Sequence, residues 1–194
     1  MSGALFASGA CRVARLREED IPRLQRFYEA NPEYHRDVGG RAPLPDEARD
    51  DFHNVLPPEF PHRARWLLGF DEGGGPFAVV ADVIADLFAP GVWHIGFFMV
   101  DGSLRGGGRA LAMYRDLERW MQDDGARWVR LGVVLGNSRA ERFWEKCGYR
   151  ELRTRAPYRV GIRDTTLRVM AKSLAGESFA EYLSLVARDR PESP

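Results

Sequence analysis

Three consecutive glycines, Gly106 to Gly108, stand directly in front of a run whose apolar residues repeat at helical spacing. Glycine costs about 1 kcal/mol relative to alanine inside a helix, so the triplet marks a tight turn delivering a helix that starts at about Gly108. Ala110, Met113, Tyr114, Leu117, Trp120 and Met121 recur every three or four positions as one apolar stripe, and Asp123, Asp124 and Gly125 end it. The first backbone N–H groups of such a helix lack internal partners, and the helix dipole adds partial positive charge at the same end. A turn of this kind suits phosphate; glycines that merely permit close packing are the alternative. No Gly-Lys-Ser/Thr follows, and Leu111 stands where a dinucleotide fingerprint needs glycine, so neither a P-loop nor a Rossmann site is supported.

The segments around this turn alternate between strand and helix patterns. "CRVARL" (11–16) reads as a strand, and Asp20 with Pro22 starts a helix running to about Ala30. Residues 31–64 are rich in proline and read as irregular, with one short helix from Asp46 to about Asn54. Residues 65–71, 76–88 and 92–100 are strand-like, and "EGGGP" between the first two signals a hairpin, so three antiparallel strands are expected. After the glycine-led helix, the apolar run at 127–135 suits a buried strand, and 136–149 reads as turn, short helix and glycine stop. Residues 150–154 and 165–173 form a last hairpin across a loop containing Pro157 and Tyr158, and Glu177 to Arg188 read as an amphipathic helix. The pattern is a mixed α/β domain over residues 11–175, with a flexible 1–10 before it and a C-terminal helix and frayed tail over 176–194.

Composition removes several function classes. Twenty-eight basic and 28 acidic residues leave no formal net charge, so nothing global attracts nucleic acid or an anionic membrane. Cys11 and Cys147 lie in no metal-ligand spacing and suit a reducing cytoplasm. His35, His53, His62 and His94 are scattered, so no metal is expected. The first ten residues lack the basic start of a signal peptide, and Asp82 and Asp86 interrupt the longest apolar run before it reaches membrane-spanning length.

"FMVDGSLRGGGRALAMY" resembles the acetyl-coenzyme A (acetyl-CoA) signature of the GCN5-related N-acetyltransferase (GNAT) family, Gln/Arg-x-x-Gly-x-Gly/Ala after a strand, with Arg105, Gly108 and Ala110 at its defined positions. In "NSRAERFWEKCGY", Asn137, Ala140, Phe143, Gly148 and Tyr149 match a second family motif, with Trp144 where tyrosine is common. The two motifs follow in order, and the resemblance covers roughly residues 11–173. It implies a GNAT-like mixed sheet with antiparallel N-terminal strands and a parallel, splayed central pair, flanked by helices. It also implies transfer of an acetyl group from acetyl-CoA to a primary amine, by direct attack in a ternary complex. The pantetheine arm would lie between the strands at 92–100 and 127–135, pairing with backbone near Phe98, Met99 and Val100. Asn137 would hold it from the other side. Gly106, Gly107 and Gly108 would admit the pyrophosphate, with Arg105 and Arg109 adding charge.

The resemblance also directs attention to the reacting groups. An amine of ordinary pKa, about 10, arrives protonated, so a base helps. His94 lies eleven residues before Arg105, where some family members carry a glutamate base. Six strand residues from Val100 back to His94 span about 20 Å, of the order of an extended pantetheine arm. A bulge in this strand would reverse the facing, and a packing role between Trp93 and Ile95 is the alternative. Asp82 and Asp86 are the reserve candidates. Trp144 cannot protonate a departing thiolate as the usual tyrosine is thought to do, so it is expected to wall the channel. Cys147 reads as core. Glu33, Tyr34, His35 and Tyr158 are expected to meet the acceptor, a small-molecule or protein amine; a homodimer is compatible with the chain. The competing reading is a non-catalytic acyl-CoA-binding or sensing domain, favoured by the missing tyrosine.

Overall fold

The computed structural model describes residues 3–193. Alternating and apolar runs become eight strands: β1 (Phe6–Ser8), β2 (Cys11–Arg15), β3 (Ala64–Asp71), β4 (Phe77–Ala85), β5 (Val92–Val100), β6 (Trp128–Val134), β7 (Arg150–Val160) and β8 (Arg163–Ser173). They form one sheet in the order β1-β2-β3-β4-β5-β6-β8-β7, antiparallel at every pairing except β5 with β6. The helices are α1 (Ile21–Ala30), α2 (Pro32–Gly39), α3 (Glu47–His53), α4 (Arg109–Asp123), α5 (Ser138–Lys146) and α6 (Phe179–Leu185). This is the GNAT-like mixed α/β sheet expected, with its single parallel pair in the middle.

Strand alternation sorts the side chains into two layers. On one face Val79, Ala81 and Val83 of β4 and Trp93 and Ile95 of β5 pack with Met113, Leu117 and Met121 of α4 and Trp144 of α5. On the other face Val80 and Met99 meet Leu24 and Phe27 of α1 and Ala48 of α3, while Val92, Trp128 and Ala171 meet Tyr182 of α6.

Four local expectations are revised. Of the stretch 1–10 expected to be flexible, residues 1 and 2 lie outside the described residues and Phe6–Ser8 instead join the sheet, paired in register with β2, while Phe6 stacks on Trp120 and meets the edge of Phe70. The irregular 31–64 contains a second helix, α2, begun by Pro32, whose missing N–H costs nothing at a first helical position. The expected loop between 154 and 165 is mostly strand, since β7 runs on to Val160 and turns tightly at Gly161 and Ile162 into β8. A Cβ at Gly161 would stand 2.5 Å from the Gly39 carbonyl oxygen, so this glycine lets the hairpin tip close on the end of α2. At the C-terminus, α6 is shorter than expected, and a single helical turn over Ala187–Asp189 follows it onto the sheet.

Candidate active site

Parallel pairing of β5 with β6 runs from Val92 opposite Trp128 to Ile95 opposite Leu131 and stops there. The cause is visible in the ladder on the other side of β5, where Val83 pairs with Ile95 but Asp82 pairs with Phe97, leaving Gly96 as the extra residue of a bulge. Beyond it, residues 97–100 of β5 keep their pairing to β4 while their edge toward β6 is open. The bulge also reverses the facing: His94 shares its face with Phe97 and Met99, opposite to Phe98 and Val100.

A cavity of about 600 Å³ fills this opening and passes to both layers. Phe98, Met99, Val100, Arg105, Gly106, Ala110, Asn137 and Trp144 line one part of it. Asp82, His94, Tyr34 and Tyr158 line the rest, together with Arg130, Arg155 and Arg188, which sequence reasoning missed. Arg130 was signalled by a charge inside an otherwise apolar strand run. Nothing local marked Arg155 or Arg188, because only the hairpin and the C-terminal turn carry them inward.

The glycine turn is built for close approach. Gly106, Gly107 and Gly108 adopt φ of 83°, 59° and 79°, a region that side chains disfavour, and a Cβ at any of them would meet open space. Among the described residues, none of the backbone N–H groups from Gly106 to Leu111 finds an acceptor. Arg105 adds its charge and reaches Glu33 at 3.6 Å. These unpaired donors, an adjacent cation and the open edge of β5 fit a pyrophosphate joined to an amide-bearing arm. Arg109 does not line this cavity; as the first residue of α4 it faces a smaller one with Asp101 and Glu72. Asn137 caps α5 by accepting from the Ala140 N–H at 3.2 Å, which leaves its amide nitrogen free to donate toward the cavity.

Trp144 lines the cavity and is held by the edges and faces of Phe98, Phe143, Tyr114 and Tyr149. Burial pushes the Cys147 thiol up to about 12, so it stays protonated and unreactive. Glu33 is spent on Arg105 at the cavity rim, and His35 lies behind Tyr28 and Tyr34 without lining the cavity. Asp86 is removed from candidacy by its position past the end of β4, where it accepts from Arg63 Nε and the Gly91 N–H at 2.8 and 2.7 Å.

His94 and Asp82 differ sharply in their surroundings. His94 Nδ1 lies 3.2 Å from Arg130 Nη1. A guanidinium only donates, so this contact makes Nδ1 the acceptor and puts the neutral ring's proton on Nε2. Burial, then the charge of Arg130, lower the His94 pKa well below its ordinary value, with the Arg130 backbone opposing through a hydrogen bond and Arg188 adding to the fall. In this setting the ring offers a hydrogen-bond donor and resists the cationic form that base work requires. Asp82 accepts from Arg65 Nε at 2.8 Å through Oδ1, while its Oδ2 stands 2.5 Å from where a Cβ of Gly96 would be. That free oxygen therefore sits over the bulge, at the mouth of the splay. Burial raises the Asp82 pKa, with Arg65 opposing, which makes the carboxylate more basic than an exposed one.

Comparison with known proteins agrees with this geometry. The sequence matches the acetyltransferase (GNAT) family over residues 24–149. No curated protein matches it. Among solved structures, an acetyltransferase from Thermus thermophilus is similar at TM-score 0.67 and 18% identity, covering 88% of this chain and 99% of that one. A GCN5-related N-acetyltransferase from Kribbella flavida is similar at TM-score 0.61 and 20% identity, covering 87% and 100%. A spermidine N-acetyltransferase from Vibrio cholerae, solved with CoA and spermine, is similar at TM-score 0.62 and 13% identity, covering 85% and 96%. With glycine turn, bulge and splayed strands in place and the family match spanning most of the chain, this protein belongs to the GNAT acetyltransferase family.

Proposed function

We propose that the protein is an N-acetyltransferase that moves an acetyl group from acetyl-CoA to a primary amine by direct attack in a ternary complex. The observation that carries the reading is the continuity of one cavity from the glycine turn, along the open edge of β5, to the Asp82 carboxylate on the opposite face. Acetyl-CoA, when bound, would supply a thioester whose acyl carbon the neutral amine attacks: the C–N bond forms as the C–S bond breaks, and CoA leaves as the thiolate, which takes up the second proton that the nitrogen loses. Arg105 and the N–H groups from Gly106 to Leu111 would hold its pyrophosphate. The edge of β5 at 97–100 would pair with the pantetheine amides, and Asn137 would close the arm in from β6's side. Asp82 takes the proton from the incoming ammonium group, and the Arg65 contact fixes the carboxylate so that Oδ2 remains the free oxygen. The His94 Nε2–H, rather than acting as the base, serves as a donor to the acceptor or to the developing oxyanion. Two free, buried cysteines suit a reducing, cytoplasmic setting.

The experiment is release of free thiol from acetyl-CoA in the presence of a panel of primary amines. Turnover with at least one amine is expected, reduced about 10²-fold or more in Asp82→Asn, with loss of the acidic limb of the pH profile and with acetyl-CoA binding retained. An unchanged rate and profile in that variant would remove Asp82 as base. Trp144 favours a second reading, because it supplies no acid for the departing thiolate; binding of acetyl-CoA without turnover of any amine would establish a non-catalytic acyl-CoA-binding domain instead.

A further inference from the structure

We propose that the end of the cavity built by the C-terminal turn and the β7–β8 hairpin is an anion site, and that the acetylated amine carries a carboxylate or phosphate group on an apolar body. The proposal deepens the acetyltransferase reading and rests on it. Its basis is an excess of guanidinium groups over carboxylates in one part of the wall. Asp189, fully buried, accepts from Arg130 Nε and Nη2 at 2.9 and 3.1 Å and from the Tyr182 hydroxyl at 2.6 Å. Those donors occupy three of its roughly four lone-pair sites, and Arg155 reaches it only as a long ion pair at 4.0 Å. One carboxylate therefore serves three guanidinium groups: it is held closely by Arg130, only at long range by Arg155, and forms no ion pair with Arg188.

Arg188 lies with its guanidinium 4.5 Å from the ring centres of both Phe60 and Phe88, and its side chain makes no hydrogen bond or ion pair among the described residues. Arg155 gives Nη2 to the Arg188 carbonyl at 2.5 Å, while its Nε is buried without a partner. Half-buried guanidinium groups with unused donors are costly to keep, and an anionic oxygen between them removes the cost. Burial lowers the pKa of both arginines, with Arg188 adding to the fall at Arg155 and Arg130 adding to it at Arg188, while Asp189 opposes at each. The walls beside them, Leu56, Phe60, Leu87 and Leu167, are apolar. Asp82 lies on the same face of the sheet, two residues along β4 from Ile84, which shares a row with His94 and Arg130. An acceptor with its amine at Asp82 and its anion at Arg155 and Arg188 meets opposite charge at each end. A polycation would meet repulsion at the second.

The test uses matched acceptors: L-phenylalanine against phenethylamine, O-phosphoethanolamine against ethanolamine, and spermidine as the polycation. The expected result is at least a tenfold higher kcat/KM for the anionic member of one pair, identifying carboxylate or phosphate, with spermidine the poorest. Arg188→Gln lowers that preference ratio at least tenfold, chiefly through KM, and Arg188→Lys restores part of it. Preference for the neutral members or spermidine, or a ratio unchanged in Arg188→Gln, overturns the proposal. Calorimetry with the CoA-loaded protein separates the two claims, using N-acetyl-L-phenylalanine, N-acetylphenethylamine and N-acetyl-O-phosphoethanolamine. If no amine is acetylated but an acetylated anion binds wild type at least tenfold more tightly than Arg188→Gln, the anion site stands and the transferase reading falls. If neither acetylated anion binds more tightly than the neutral amide, the anion site falls.

Discussion

At Gly96 an added Cβ would stand 2.5 Å from Asp82 Oδ2, and the carboxylate cannot swing away without losing its 2.8 Å contact with Arg65. Gly96→Ala is therefore expected to displace the proposed base while leaving the glycine turn intact. Turnover should drop by about tenfold or more with acetyl-CoA affinity unchanged, as measured by steady-state kinetics beside a binding titration. Equal losses in both would show that the bulge shapes the cofactor channel rather than the base. Asp51 carries a different consequence. Burial raises its pKa to about 6, with the Tyr28 hydroxyl opposing and Glu47 and Asp82 adding to the rise. An unfolded aspartate titrates at about 3.9, so the folded state holds this proton more tightly. The associated stability is fully present below about pH 4 and is lost as pH rises through about 6. Asp51→Asn should remove a loss on the order of 3 kcal/mol across that window, so urea melts of variant and wild type should diverge in the variant's favour from pH 4 to 7. Parallel curves would mean that Asp51 is ionised in the fold like any surface carboxylate.

At the level of elements, the last turn of the chain matters as much as the motif-bearing helices. Sequence patterning ends the domain at 175, because Ala187, Arg188 and Asp189 carry no pattern that links them to β6. The link is long-range: Arg130 emerges from the middle of an apolar strand and needs a counter-ion, and the turn after α6 delivers Asp189 to it. Removing one partner of a buried pair leaves the other charged and desolvated, so Asp189→Ala should cost about 3–5 kcal/mol in a denaturant melt. A loss below about 0.5 kcal/mol would mean that the tail is not docked in solution. The helix α2 shows a related limit. Its residues are mostly polar and proline flanks it, so periodicity hid it. Yet it spans the cavity rim through Glu33 to Arg105, Asp37 to Arg139 at 2.8 Å, and the Gly39 carbonyl, which accepts from the Ile162 N–H at 3.1 Å.

For the molecule as a whole, ligand binding and stability are linked by mass action. Acetyl-CoA at 100 times its Kd should add about 2.7 kcal/mol, which for a domain of this size is a rise in Tm of roughly 5–10 °C. Gly107→Glu should abolish the rise, since it sets a side chain at a φ of 59° and a negative charge among the free N–H groups. A rise that persists would place the phosphates elsewhere. What the sequence by itself determined was whatever is encoded within one segment: the glycine turn and its helix, the hairpin at Gly73 and Gly74, the short helix with its glycine stop within 136–149, and the two motifs that carry the family. Local spacing suffices there because turn conformation and helix amphipathicity depend on neighbours a few residues apart. Tertiary structure alone decided the facing of His94, which a single bulged residue inverts, and the acid–base character of its ring, which burial sets first and Arg130 second, from another strand. It also decided that Arg155 and Arg188 meet, and that Asp82 rather than Asp86 reaches the cavity. Charges and hydrogen bonds act through space at a few ångströms, whatever their separation along the chain, so a sequence pattern cannot announce them until the sheet has brought the strands together.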